Sequence, residues 1–175
     1  MKLNKIDVAC SILDTSIELW FYEKDPISIH TLVCSSYQII HDINKQVGWR
    51  DLLYDSLVIK DEYQKEMNKR LKESYNYFKH ADKDKDDTIE FNPELSNTFI
   101  MFSCFGLKCL SIPTNNVREA FVSYYALTKP EILKIDAKDK MIKIIDKDKI
   151  NSILEMKRSD YLEIFKAYNE KICFA

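Results

Sequence analysis

Two glycines in 175 residues constrain this chain more than any other feature. Gly48 and Gly106 stand where an average composition of about 7% would supply about 12. Two-residue hairpins, phosphate-cradling loops and dinucleotide-binding turns all draw on residues that tolerate positive φ. With two glycines and four prolines, the chain has little to build them from. What remains is helix, whose interior needs neither residue. Arginine occurs only at 50, 70, 118 and 158 among many lysines, a bias of the kind an AT-rich coding sequence produces. The same bias lowers the glycine count, so periodicity has to establish the helices independently.

It does so along most of the chain. Ile6, Cys10, Leu13, Ile17 and Trp20 or Phe21 recur at steps of three and four, and Ala9, Ile12 and Leu19 widen that face. Asp25-Pro26 pairs a capping carboxylate with proline at the first helical position. A second helix follows through Ile29, Leu32, Val33, Ser36, Ile39, Ile40, Ile43 and Val47, with Gly48 as the residue just past its end. Residues 49–60 read as a helical turn or connector. A third helix, Asp61 to His80, carries Tyr63, Met67, Leu71, Tyr75 and Phe78. Asn92-Pro93-Glu94 repeats the cap-plus-proline signal and opens a helix that is apolar almost all round, through Leu95, Phe99, Ile100, Phe102 and Leu107. Such a helix belongs at the centre of a bundle or in a dimer interface. Gly106 inside it costs about 1 kcal/mol relative to alanine, which predicts a close helix crossing there.

Thr114 is the expected cap of a helix with Val117, Ala120, Phe121 and Tyr124. Ser159 is the expected cap of the last helix, with Leu162, Phe165, Ala167 or Tyr168, and Ile172. Residues 131–146 satisfy both helical and strand periods, so a small hairpin stays open there. The fold class is therefore all-α, a single-domain bundle of five to seven helices over 1–175. Its main bundle is expected over 1–128, with a helical extension over 129–175.

A formal charge of -2 argues against a strongly cationic nucleic-acid binder. Asp7 and Asp14 interrupt the apolar core that a signal peptide needs. The longest apolar stretch, Phe99 to Leu107, is about half a membrane span. Five cysteines (Cys10, Cys34, Cys104, Cys109 and Cys173) show no regular spacing and read as small core residues in a reducing cytoplasm. These features predict a cytoplasmic protein with no membrane partner and no cofactor.

Residues 81–91 form an aspartate-rich loop. Asp82, Asp84, Asp86 and Thr88 match positions one, three, five and seven of an EF-hand, Ile89 matches the apolar eighth, and Glu90 adds a carboxylate. Position six, which needs glycine, is Asp87, and position twelve, which supplies the bidentate carboxylate, is Pro93. The ordinary reading is a solvated loop whose lysines neutralise its aspartates. Of the three histidines, His30 and His41 share one side of the second helix at a separation of about 16 Å, too far for one metal ion. Each reads as a packed histidine. His80 differs: Asn76 lies one turn before it and Lys79 beside it, a set able to bind phosphate and exchange a proton near neutral pH. The competing reading is that Lys79 and His80 complement the negative end of a helix.

The blocks ACSILDTSIELWFYEKDPISIHTLVCSSYQIIHDI and YNYFKHADKDKDDTIEFNP resemble a family of uncharacterised bacterial helical proteins sharing DP-x-x-x-HTL and N-x-F-KHAD segments. The resemblance covers roughly the first 105 residues. A basic residue, an Asn and a His one turn later also resemble the HEPN superfamily of small, usually dimeric helical proteins, many of them ribonucleases. Asn76 and His80 fit the Asn and His of that motif, whereas Tyr75 stands in the place of its arginine and the nearest upstream arginine is Arg70. The apolar 95–107 segment, the aromatic content and the absence of a convincing catalytic set favour a non-catalytic, HEPN-like module that binds a second copy or a partner protein. The HEPN resemblance implies an alternative, a metal-independent ribonuclease with His80 as acid–base, Lys79 on phosphate and Asn76 orienting. A divalent ion held by Asp82, Asp84, Asp86, Thr88 and Glu90 is the third reading. No Gly-x-Ser-x-Gly, P-loop, Cys-x-x-Cys or His-Glu-x-x-His occurs.

Overall fold

The computed structural model describes residues 1–48, 69, 73–80, 86–129 and 147–173. Among them every regular element is α-helical and no strand occurs. The helices are α1 (Lys5–Phe21), α2 (Pro26–Gln46), α3 (Leu95–Cys109), α4 (Asn116–Thr128), α5 (Lys147–Glu155) and α6 (Arg158–Cys173), with a further helical stretch at 73–77. The connector at 49–60, the start of the expected third helix, Asp82 and Asp84, and the helix-or-hairpin segment at 131–146 lie outside the described residues. No helix among the described residues is long and apolar enough to cross a membrane.

The chain divides into two compact units, one of residues 1–20 and 24–113 and one of residues 21–23 and 114–175. The division precedes α4, whereas the sequence reading divides after residue 128.

In the first unit, Ala9, Leu13 and Ile17 on α1 are fully buried, the three-and-four stripe that periodicity predicts. The Ser36 hydroxyl donates to the Ala9 carbonyl at 2.7 Å and ties α2 to α1. Asp25 caps α2, its carboxylate accepting from the Ser28 N–H at 2.7 Å. Hydrogen bonding from the Ser28 side chain, and then from its N–H, holds the Asp25 carboxyl below its ordinary range. α2 and α3 pack along each other with Ile40, Phe99, Ile100 and Leu107 buried. The contacts pair residue 30 with 96, 37 with 99 and 44 with 106, so the two helices run parallel. At the last of these, Asn44 Nδ2 donates to the Gly106 carbonyl at 3.1 Å, and Gly106 is buried. The α2–α3 seam thus extends to Gly106, through the Asn44 side chain.

Helix ends show how a glycine-poor chain stops its helices. Gly48 follows α2 at φ 90, as the sequence predicts. Glu23 after α1 and Ser111 after α3 take the same left-handed conformation without being glycine, at φ 50 and φ 57. Both close the Schellman pattern: Lys24 N–H donates to the Leu19 carbonyl and Ile112 N–H to the Leu107 carbonyl, each at 3.0 Å.

Helix starts depart from expectation in three places. Asn92 accepts from the Glu94 N–H at 3.0 Å and its carbonyl accepts from Leu95 N–H, so the Asn-Pro signal opens a tight turn and α3 begins only at Leu95. Asn115, not Thr114, caps α4, accepting from the Arg118 N–H at 3.0 Å. Ser159 lies inside the first turn of α6, because the Lys157 carbonyl already accepts from Tyr161 N–H.

The second unit is built on α4 and α6. Phe21, Phe121 and Leu162 are fully buried, and Phe21, Tyr124 and Tyr161 form a ring cluster with centroids 5.0 to 6.4 Å apart. Tyr161 and Ser123 share a hydroxyl hydrogen bond at 2.8 Å, and burial pushes the Tyr161 phenol above its ordinary range. On α6, Ile164 and Tyr168 lie one turn apart and are 59% and 66% exposed. Leu154 on α5 is also exposed.

Candidate functional site

Asn76, Lys79 and His80 are all exposed, at the end of the 73–77 helical stretch. The Asn76 carbonyl accepts from both the Lys79 and His80 N–H groups, so this is the carbonyl, negative pole of the helix. Cationic side chains are favoured there and a phosphate is not. The Lys79 ammonium folds back onto its own helix: Nζ donates to the Tyr75 hydroxyl at 2.6 Å and lies 4.1 Å from the ring centroid. Ser35 Oγ commits its proton to the Thr31 carbonyl at 2.9 Å. Tyr75 therefore donates to Ser35 across 3.1 Å, and the chain runs Lys79 to Tyr75 to Ser35 to Thr31. Tyr75, immediately before Asn76, is thus a phenol that holds the lysine from the next turn.

An open cleft of about 410 Å³ in the first unit is lined by Lys69, Glu73, Ser74, Ile89, Glu90, Asn92 and Leu95. None of Asn76, Lys79 and His80 borders it. Its polar lining is net negative, which does not suit a phosphate.

Of the metal alternative, Asp86 and Thr88 are exposed and Glu90 borders the cleft. The loop is tied to the helix before it through the Tyr77 hydroxyl, which donates to the Asp87 carbonyl. Among the described residues, no group of three His, Cys, Asp or Glu side chains is placed to hold a metal ion.

The densest polar chemistry lies where the sequence reading placed only packed residues. His30 is 0% exposed, with Nδ1 3.1 Å from Ser96 Oγ and Nε2 3.5 Å from Cys34 Sγ. Neutral imidazole supplies one donor and one acceptor, and a hydroxyl and a thiol can answer either tautomer. Three phenylalanine rings enclose it: Phe91 at 4.9 Å, Phe99 at 5.6 Å and Phe78 at 5.9 Å between centroids. Phe78 and Phe91 also pack edge-on against each other at 5.1 Å. Burial lowers the His30 pKa to about 4. Burial also pushes the Cys34 thiol far up, against a smaller opposing pull from Lys79. A Cys–His–Ser sequence of contacts resembles a nucleophilic triad in outline, but here the thiol and the imidazole are both held neutral. The cluster joins the two motif segments, since His30 belongs to DP-x-x-x-HTL and Phe78 to N-x-F-KHAD.

Further along the α2–α3 seam, Tyr37 stacks on His41 at 5.7 Å and meets Phe99 edge-on at 5.3 Å. Asn44 spends both amide hydrogens, on the Ile40 carbonyl at 2.9 Å and on Gly106. His30, Cys34, Tyr37, His41 and Asn44 follow steps of four and three, a buried polar line on the face that the apolar stripe predicted less fully. Of the other thiols, Cys10, Cys104 and Cys109 are half-buried rather than core.

No protein-family model matches the chain, and neither a curated protein nor a solved structure does.

Proposed function

We propose that the protein is a non-catalytic helical module of the HEPN-like kind that acts by pairing with a second copy of itself in a reducing cytoplasm. The observation that carries this reading is the exposed apolar face of α6, where Ile164 and Tyr168 stand one turn apart, more than half in solvent. A contiguous apolar patch on a helix marks an association surface, and neighbouring Ile164 and Tyr168 are the start of one. Cys10, Cys34, Cys104 and Cys109 stand as thiols rather than in disulfides, as in a reducing compartment. The test is light scattering of the full chain beside an Ile164→Glu/Tyr168→Glu variant. Wild type at twice the 20.7 kDa chain mass and a monomeric variant support the reading, and a wild-type monomer at tens of micromolar refutes it.

A second reading, a metal-independent ribonuclease using His80, Lys79 and Asn76, is favoured by one observation: all three side chains are open to a ligand at one helix end. Against it stand the negative helix pole and the engagement of Lys79 by Tyr75. Incubation with structured and unstructured RNA beside His80→Ala decides it, and equal inertness of the two proteins removes the nuclease.

A further inference from the structure

The two motif segments meet at a single buried side chain, and its chemistry is that of a switchable contact. His30 is held on α2 between Cys34 one turn on, Ser96 of α3, and the rings of Phe78, Phe91 and Phe99. Phe99 is itself buried, whereas Phe78 and Phe91 are only half-buried, and Tyr75–Ser35 is a further bond between the 73–80 segment and α2. Docking of residues 73–80 and 86–92 onto α2 and α3 therefore rests heavily on the imidazole that Phe78 and Phe91 both touch.

That imidazole is complementary only while neutral. With one donor and one acceptor it satisfies a hydroxyl and a thiol, and no water reaches it. As an imidazolium it donates from both nitrogens, so the Cys34 sulfur, a poor acceptor, faces an N–H. The groups that face His30 are Cys34 from its own helix, Ser96 and Phe99 from α3, and Phe78 and Phe91 from the flanking segments. None of them carries a negative charge. Lys79, whose charge acts on the Cys34 thiol, is positive and opposes a second cation. Edge-on rings compensate a desolvated cation only in part.

We propose that His30 is an acid-sensitive latch: uptake of a second ring proton releases Phe78 and Phe91 from α2 and α3 while α1, α2 and α3 stay folded. The released face is the one that joins the two motif segments, so acidification exposes Phe99 and the Ser96–Cys34 side of the α2–α3 pair. This inference does not depend on the oligomeric state proposed above.

The test is amide hydrogen exchange, corrected for intrinsic rates, on the full chain at pH 7 and pH 4.5, together with His30→Gln and His30→Phe variants. Expected is a loss of protection of tenfold or more at 73–80 and 86–92 in acid, with α1 protection retained. In a folded variant lacking the imidazole, the same segments show no such pH dependence. Where neither variant folds, the wild-type His30 ring titration followed by NMR serves instead, its midpoint coinciding with the release. Unchanged protection at pH 4.5, simultaneous loss from all helices, an undiminished acid response in either variant, or release while His30 remains neutral would each overturn the latch.

Discussion

At the scale of single residues, His30 governs how the first unit responds to acid. Its ring takes up a proton near pH 4 when folded and near 6.5 when unfolded. Between those values the unfolded chain binds more protons, so the contribution is fully present above about pH 6.5 and is lost as pH falls toward 4. The loss amounts to about 3 kcal/mol at most. Urea unfolding at pH 7 and 4.5 measures it, and the His30→Phe variant should lack that part of the pH dependence. The histidine was visible in the sequence as a packed residue, but its partners were not. Ser96 lies 66 positions away, and no local period announces a contact of that separation. The same holds for Lys79, whose spacing to Asn76 and His80 is legible as one helix end. That Tyr75 holds it, backed by Ser35 40 positions earlier, depends on how α2 lies beside the 73–77 stretch.

At the scale of elements, the glycine shortage becomes a statement about helix ends. Three helices finish in a left-handed residue, and only α2 uses glycine for it. Ser111→Gly should raise stability by about 0.5–1 kcal/mol by relieving that conformation, measured as an upward shift in the thermal midpoint. Gly48→Ala should lower it by about 1 kcal/mol. A Cβ there meets nothing within 4 Å, so the cost is purely conformational. Asn115→Ala should cost about 1 kcal/mol by uncapping α4, whereas Thr114→Ala should be nearly silent in the same melts. The bodies of α1, α2 and α3 were readable because each buries a continuous stripe, as Ala9, Leu13 and Ile17 do, whereas α5, with no buried residue among those described, was not. Caps were readable where the chemistry is unambiguous, at Asp25-Pro26 and Gly48. They were misread where neighbouring residues are chemically equivalent, as Thr114 and Asn115 are, or where a backbone carbonyl does the work, as at Lys157. Nothing in the identity of Glu23 or Ser111 signals positive φ.

At the scale of the whole molecule, the all-α class follows from periodicity, and the distribution of polar chemistry separates the functional readings. Exposed Asn76, Lys79 and His80 sit at a helix pole that repels phosphate. The buried Cys34 and His30 are held in their unreactive forms. Among the described residues, α6 leaves Ile164 and Tyr168 exposed, as the C-cap of α2 leaves Val47 and α3 leaves Phe105. The proposed association through Ile164 and Tyr168 of α6 should be salt-insensitive, because apolar burial rather than charge would supply its free energy. Raising the ionic strength from 0.05 to 0.5 M should leave the sedimentation profile unchanged on this account, conditions under which a phosphate-contacting protein loses its nucleic acid. The most direct measurement of the central claim is the solution mass of the full chain by multi-angle light scattering at tens of micromolar. The account predicts twice 20.7 kDa for wild type and 20.7 kDa for Ile164→Glu/Tyr168→Glu with helical content unchanged. A wild-type mass of 20.7 kDa, or a variant that still pairs, would contradict it.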